Sequence, residues 1–178
     1  MKKLKLEELG RLSVNEFKDA EKIPVCILLD NVRSLHNVGA AFRTADAFRM
    51  EKIYLTGITG TPPNREIHKT ALGSTESVAW EYAEHPETAL EKLKALDYQI
   101  IIVEQTTESI PLQKINVSPE KKYCIVFVNE VNGVSEESIA LGDVAVEIPQ
   151  SGTKHSLNIS VCVGIVAWDF YQKLALVS

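Results

Sequence analysis

The sequence predicts an α/β domain, with a mainly parallel sheet flanked by helices. Three observations carry that expectation. Short apolar runs of the buried-strand type recur, as "PVCILLD" (24–30), "YQIIIVEQ" (98–105) and "KYCIVFVNE" (122–130). Strands covered on both faces read as such continuous runs rather than as alternating ones. Segments of helical period separate them, and strands alternating with helices imply parallel pairing through crossovers. Finally, 178 residues of which 45% are hydrophobic and 24% charged suit one globular unit large enough to bury a core.

Taken in order, residues 1–20 read as an amphipathic leader, with Leu4, Leu6, Leu9, Leu12 and Phe17 on a roughly helical period. The run 24–30 is the first strand. A helix over about 38–48 follows, then the strand "KIYLTG" (52–57). The loop "TGTPPN" ends at Asn64, which reads as a helix cap. "SVAWEYA" (77–83) is strand-like. "PETALEKLKAL" (86–96) opens with proline and sets Leu90, Leu93 and Leu96 on one face, so it is a helix. After the strands at 98–105 and 122–130, "SEESIAL" (135–141) is a short helix with acids in its first turn. "VAVEIP" (144–149) is the last strand, and residues 156–174 form a long, largely buried helix.

The net charge of -5 argues against a broad basic surface for nucleic acid, though not against a local basic patch. No apolar run approaches the roughly 18–20 residues that cross a bilayer. The leader has no apolar core of the signal-peptide kind, so the expected location is the cytoplasm. Cys26, Cys124 and Cys162 sit apart within apolar segments and read as buried thiols. His36, His68, His85 and His155 show no ligand spacing, so no metal is expected.

Ligands of open α/β sheets bind beyond the C-terminal ends of the strands. Three loops there carry polar or glycine residues. In 30–39, Asn37 brings amide donors and an acceptor to the start of the helix, while Arg43 points away from the stripe of Val38, Ala41, Phe42, Ala45 and Phe48. In 129–135, Glu130 follows an uninterrupted apolar strand, where a carboxylate must be paired or wet. Asn132-Gly133 marks a turn and Ser135 reads as a helix N-cap. In 150–158, Ser156 and Asn158 stand near a helix start, where N–H groups are exposed. His155 beside Ser156 does not make a hydrolase, because adjacent residues rarely pair as nucleophile and base and no G-x-S-x-G elbow is present. The glycines form neither a dinucleotide fingerprint nor a Walker A loop.

Together, "NVGAAFRTADAF" (37–48), "IVFVNEVNGVSEE" (125–137) and "VEIPQSGTKHSLNISVCVGIVAWDF" (146–170) resemble the three motifs of the SpoU/TrmH family, RNA ribose 2′-O-methyltransferases of the SPOUT superfamily. The resemblance implies a C-terminal deep trefoil knot, an exception to the rule against knotted chains. It divides the chain into an N-terminal extension (1–23) and a methyltransferase domain (24–178), with the knot in about 123–174. It implies S-adenosylmethionine as cofactor, held at Glu104, Val128, Ile148, Ser156 and Leu157. It gives the catalytic role to Arg43, with Asn37, Glu130, Ser156 and Asn158 as polar companions. It implies a homodimer with shared active sites and tRNA or rRNA as partner, with no membrane involved.

The chemistry suits these residues. A ribose 2′-hydroxyl is a poor nucleophile that must be aligned with the methyl carbon and lose its proton. Neutral arginine is scarce at pH 7, so clamping a phosphate is an easier task for Arg43 than acting as base. The methyl donor carries its own activating charge, so no metal is required. The chain departs from the family pattern at Val128, where glycine is usual, and at Gln150, where methionine is common. Basic RNA-binding extensions found in several relatives are missing. Two other readings stay open at this stage: a non-catalytic RNA-binding or assembly protein that keeps the fold, and a SPOUT enzyme that methylates a base.

Overall fold

The computed structural model describes residues 1–128, 136–154 and 156–176. Its strands are β1 (Ile23–Asp30), β2 (Met50–Thr56), β3 (Trp80–Ala83), β4 (Tyr98–Val103), β5 (Ile110–Pro111), β6 (Lys122–Val128) and β7 (Val144–Glu147). Its helices are α1 (Val14–Asp19), α2 (Leu35–Ala47), α3 (Arg65–Ala71), α4 (Ser74–Ser77), α5 (Pro86–Ala95), α6 (Glu136–Leu141) and α7 (Ile159–Tyr171). The strands form one sheet in the order β3-β2-β1-β6-β4-β7-β5, and every pairing is parallel. The predicted fold class is therefore the observed one.

The pleat sorts the strand residues into two cores. Val25, Ile27 and Leu29 of β1 face α2, α3 and α7, together with Ile53, Leu55, Ile125 and Phe127. Cys26 and Leu28 face the other way, onto Leu90 and Leu93 of α5 and onto Ile100, Ile102 and Val126. Covered on both faces, the central strands could afford no polar residue, which is why they read as unbroken apolar runs.

α2 crosses α3 closely. A β-carbon on Gly39 would collide with Thr70 Oγ1 and the Ile67 carbonyl oxygen. The Thr70 hydroxyl also donates to the His36 carbonyl at 3.0 Å. Glycine at 39 thus sets the spacing between these two helices.

Several boundaries differ from expectation. α2 starts at Leu35, because Ser34 caps it by accepting the Asn37 N–H at 3.3 Å. Its first turn (Leu35, His36, Asn37) has little apolar periodicity and so was not legible as helix. α7 starts at Ile159, because Asn158 Oδ1 accepts the Ser160 N–H at 2.9 Å; the cap is Asn158, and Ser156 lies outside the helix. The strand expected over 77–83 starts only at Trp80, because Ser77 closes a helical turn (Ser74–Ser77) held by Ser74 Oγ donating to the Ala71 carbonyl at 2.7 Å. α3 buries only Ile67 and Ala71 in seven residues, so Asn64 was its one sign. That cap is present, with Asn64 Oδ1 accepting the Glu66 N–H at 2.9 Å. The leader is not one helix: a 3-10 turn (Leu6–Leu9) and α1 are separate, since Ser13 and Glu16 form a capping box that restarts the helix. The expected cap at Ser135 lies outside the described residues.

α7 and the π turn that follows it (Gln172–Leu176) make Ile159–Leu176 a helix of 18 residues with mean hydropathy 1.3, long and apolar enough by composition to cross a membrane. The expectation that no run approaches this length counted uninterrupted apolar residues, and Asp169, Gln172 and Lys173 break the run. Asp169 and Lys173 pair at 2.6 Å, while Val163, Val166, Ala167 and Phe170 enter the core.

Cys26 and Cys124 face each other across β1 and β6 as free, buried thiols. Burial pushes Cys26 up to about 12 and Cys124 well above its ordinary value, so neither ionises near neutral pH. Cys162 is only half-buried.

Candidate active site

β6 sits between β1 and β4, although the chain reaches it only after β4 and β5. The C-terminal ends of β4, β6 and β7 thereby meet the segment that precedes α7. A cleft of about 690 Å³, counting its open mouth, lies where they meet.

Val103, Phe127, Val128, Val146, Ile148, Leu157 and Ile159 give the cleft apolar walls, and Glu104, Gln105, Glu147, Gln150 and Ser156 supply polar groups. All five positions expected to hold the cofactor (Glu104, Val128, Ile148, Ser156 and Leu157) lie on this one cleft. They come from four separate stretches of the chain, gathered by the sheet. The Glu104 N–H donates to the Val146 carbonyl at 3.0 Å, which carries the β4–β7 ladder to the lip of the cleft. The Glu104 side chain accepts the Gln105 N–H at 2.8 Å. Residues 148–150 and 156–158 belong to no helix or strand. Backbone N–H and C=O groups in such segments can meet a ligand's hydrogen-bonding edges.

This donor set fits S-adenosylmethionine. The apolar walls suit an adenine ring. Glu104 and Glu147 suit ribose hydroxyls and a ligand bearing a sulfonium charge. Val128 is buried, at 9% exposure, and packs within the second core, so its side chain fills space that a glycine would leave open.

The expected catalytic set is not gathered in one place. Of that set's described members, only Ser156 lines the cleft. Asn158 is spent as the α7 cap, its Oδ1 accepting Ser160 Oγ at 2.6 Å as well as the Ser160 N–H. Asn37 is half-buried in the first turn of α2 rather than ahead of the helix. Arg43 is exposed on the face of α2 opposite Val38, Ala41, Phe42 and Ala45, as its spacing predicts, and lines a different groove. Glu130 and His155 lie outside the described residues. Among the described residues no His, Cys, Asp and Glu cluster could hold a metal ion.

One buried acid was missed. Asp30 ends β1 in register with Val128 and is 3% exposed. Its Oδ1 accepts Thr56 Oγ1 at 2.8 Å and Asn31 Nδ2 at 2.9 Å. Burial raises its pKa, and these two hydrogen bonds oppose the rise. Thr59 Oγ1 ties the same corner, accepting the Val32 N–H at 2.9 Å and donating to the Leu29 carbonyl at 3.0 Å. The corner thus aims the segment that leads into α2. The clue in the sequence was the same as for Glu130, a carboxylate closing an apolar strand.

A model of the SpoU rRNA Methylase family matches residues 24–168. The chain is 28% identical over 165 residues to a tRNA (guanosine(18)-2′-O)-methyltransferase of Thermus thermophilus, covering 91% of this chain and 81% of that protein. It is 30% identical over 156 residues to the enzyme of the same name from Aquifex aeolicus, covering 88% and 72%. The fold superposes with a TM-score of 0.79 and 26% identity on an AdoMet-bound rRNA methyltransferase from Sinorhizobium meliloti, covering 89% of this chain and 60% of that one.

Proposed function

The chain belongs to the SpoU rRNA methylase family, and from that premise we propose that it transfers a methyl group from S-adenosylmethionine to a ribose 2′-hydroxyl of tRNA or rRNA. The observation that carries this reading is the single cleft lined by all five expected cofactor positions. Similarity to enzymes named for guanosine 2′-O-methylation supports the same chemistry.

S-adenosylmethionine, when bound, supplies an electrophilic methyl carbon. The chain's residues bind and orient. Glu104 and Glu147 face the cationic ligand, Val128, Ile148 and Leu157 enclose it, and Ser156 stands at the mouth. Arg43 holds a phosphate next to the target ribose through its planar fork of donors. Removing water around the reacting hydroxyl and fixing its approach would supply much of the rate. The protein acts in the cytoplasm, where its RNA substrates are.

The working unit is a homodimer in which Arg43 of one subunit completes the cleft of the other, the domain proper being residues 24–178. Support comes from the separation of Arg43 from the cleft and from an apolar stripe on α7. Val161, Ile165 and Trp168 are 48%, 38% and 46% exposed at helical spacing. Trp168 and Tyr171 stack with Phe48 of the α2 C-cap, with centroids 5.8 and 5.2 Å away. An exposed stripe of this kind calls for a partner surface. If Arg43→Ala and Ser156→Ala are each inactive alone, the two should recover activity when refolded together. A monomer by light scattering at micromolar concentration, or heterodimers without activity, would refute the shared site.

A further inference from the structure

All five arginines (Arg11, Arg33, Arg43, Arg49 and Arg65) fall within the first 65 residues, and all are exposed. The described residues form six ion pairs, made by lysines and one histidine. No arginine joins them, and among the described residues no guanidinium has a hydrogen-bond partner. The charge is also unevenly spread. Residues 1–83 hold 12 Lys and Arg against 11 acids, while residues 84–178 hold 7 against 13. The acidic total thus hides a half that carries every unpaired guanidinium.

Three of these arginines share one groove. Arg43 comes from the second half of α2, Arg49 follows that helix's Phe48 C-cap, and Arg11 comes from the stretch ahead of α1. Leu9–Val14 forms one wall and Ala71–Ser74 the other. The Arg11 wall is fixed in place. Ser13 and Glu16 cap α1, Phe17 is buried, and Lys22 Nζ donates to the Ala20 carbonyl at 2.6 Å. Two acids enter the groove, Asp46 and Glu76; the Asp46 carboxylate accepts the Ser77 hydroxyl. Three guanidiniums against two acids leave a groove of net positive charge on an acidic protein. Arginine forks match phosphate oxygens two at a time, and a cationic groove can track a nucleic-acid backbone. Arg11 also lies outside residues 24–168, so the family match says nothing of it.

We propose that Arg11 and Arg49 flank Arg43 in a phosphate-binding groove that seats the RNA backbone next to the target ribose, with the N-terminal stretch Leu9–Val14 as its outer wall. This rests on the RNA methyltransferase reading and names the residues through which that RNA is held. Arg11 and Arg49 are positioning residues; neither touches the reacting atoms.

The test uses the full chain and an unmodified tRNA transcript, bound on filters across a series of KCl concentrations. The double variant Arg11→Ala with Arg49→Ala should bind at least 10-fold more weakly at low salt. Its slope of log affinity against log salt should fall by about two, one for each lost phosphate contact. The KM for RNA should rise while kcat and the affinity for S-adenosylmethionine stay within about twofold. The pair Arg11→Lys with Arg49→Lys should keep the slope and recover only part of the affinity, since a lysine cannot fork. An unchanged salt slope and KM in the alanine pair would overturn the proposal. So would a changed oligomeric state with unchanged RNA binding, which would make the groove a protein interface. Methyl transfer by the wild type is read separately: if it fails, the enzymatic reading falls, while the salt slopes still decide the groove.

Discussion

Replacing Gly39 by alanine tests how the sequence sets the α2–α3 approach. The added β-carbon meets the Thr70 hydroxyl and the Ile67 carbonyl oxygen well inside van der Waals contact, with the Ala71 nitrogen at 3.1 Å. The threonine could rotate away; the carbonyl belongs to the backbone of α3 and cannot move without shifting that helix. Overpacking of this kind costs about 1–3 kcal/mol, and a backbone obstacle places it at the upper end. Alanine in a helix interior offsets about 1 kcal/mol of that. The net loss is about 2 kcal/mol, which for a chain of this size lowers the melting temperature by roughly 4–8 °C. Calorimetry on Gly39→Ala, and on Gly39→Ala combined with Thr70→Ala, would measure it. The double variant should recover only part of the loss, because the Ile67 carbonyl remains. An unchanged melting temperature in the single variant, or full recovery in the double, would refute the close approach of the helices.

Asp30 gives a pH-dependent prediction. Its folded pKa is raised above the ordinary 3.8, so the folded chain holds a proton that the unfolded chain releases, and its contribution to stability is lost as pH rises through that interval. Asp30→Asn keeps an acceptor for Thr56 and Asn31, so it should be as stable as wild type near pH 4 and more stable at pH 7. Denaturant midpoints at the two pH values check this, and a gap that widens toward low pH would reverse the assignment. Val128→Gly removes a side chain packed in the second core, and should lose about 2–4 kcal/mol of stability. It should bind S-adenosylmethionine as well as wild type or better by calorimetric titration, and a marked loss would show that the valine itself holds the cofactor. Arg43→Ala should lose methyl transfer by at least 100-fold while keeping cofactor affinity, because its groove is not the cleft. Near-normal turnover would take Arg43 out of the mechanism.

What the sequence revealed and what it hid have physical causes. β1, β4 and β6 were legible because helices cover both their faces and leave no place for polar residues. Arg43 was legible because a helical wheel separates it from Val38, Ala41, Phe42 and Ala45, and all four are buried. α3 was hidden because only two of its seven residues reach the core, and its packing against Gly39 depends on a missing side chain that no periodicity records. The starts of α2 and α7 were misplaced because side-chain caps on Ser34 and Asn158, rather than apolar period, decide them. The cleft came from the resemblance of three motifs. Spacing alone could not have joined Glu104 to Leu157, since β6 enters the sheet out of chain order. The stretch bearing Arg11 was read only as part of an amphipathic leader, because its place beside Arg43 and Arg49 depends on how α1 docks.

Methyl transfer to a ribose oxygen can be measured directly. Purified protein is incubated with methyl-labelled S-adenosylmethionine and unmodified tRNA and rRNA transcripts, and the RNA is digested to nucleosides and separated. Label in a 2′-O-methyl nucleoside, lost with Arg43→Ala, is the predicted result. Label on a base, or S-adenosylmethionine bound with no label reaching any RNA, would rule out ribose 2′-O-methylation by this protein.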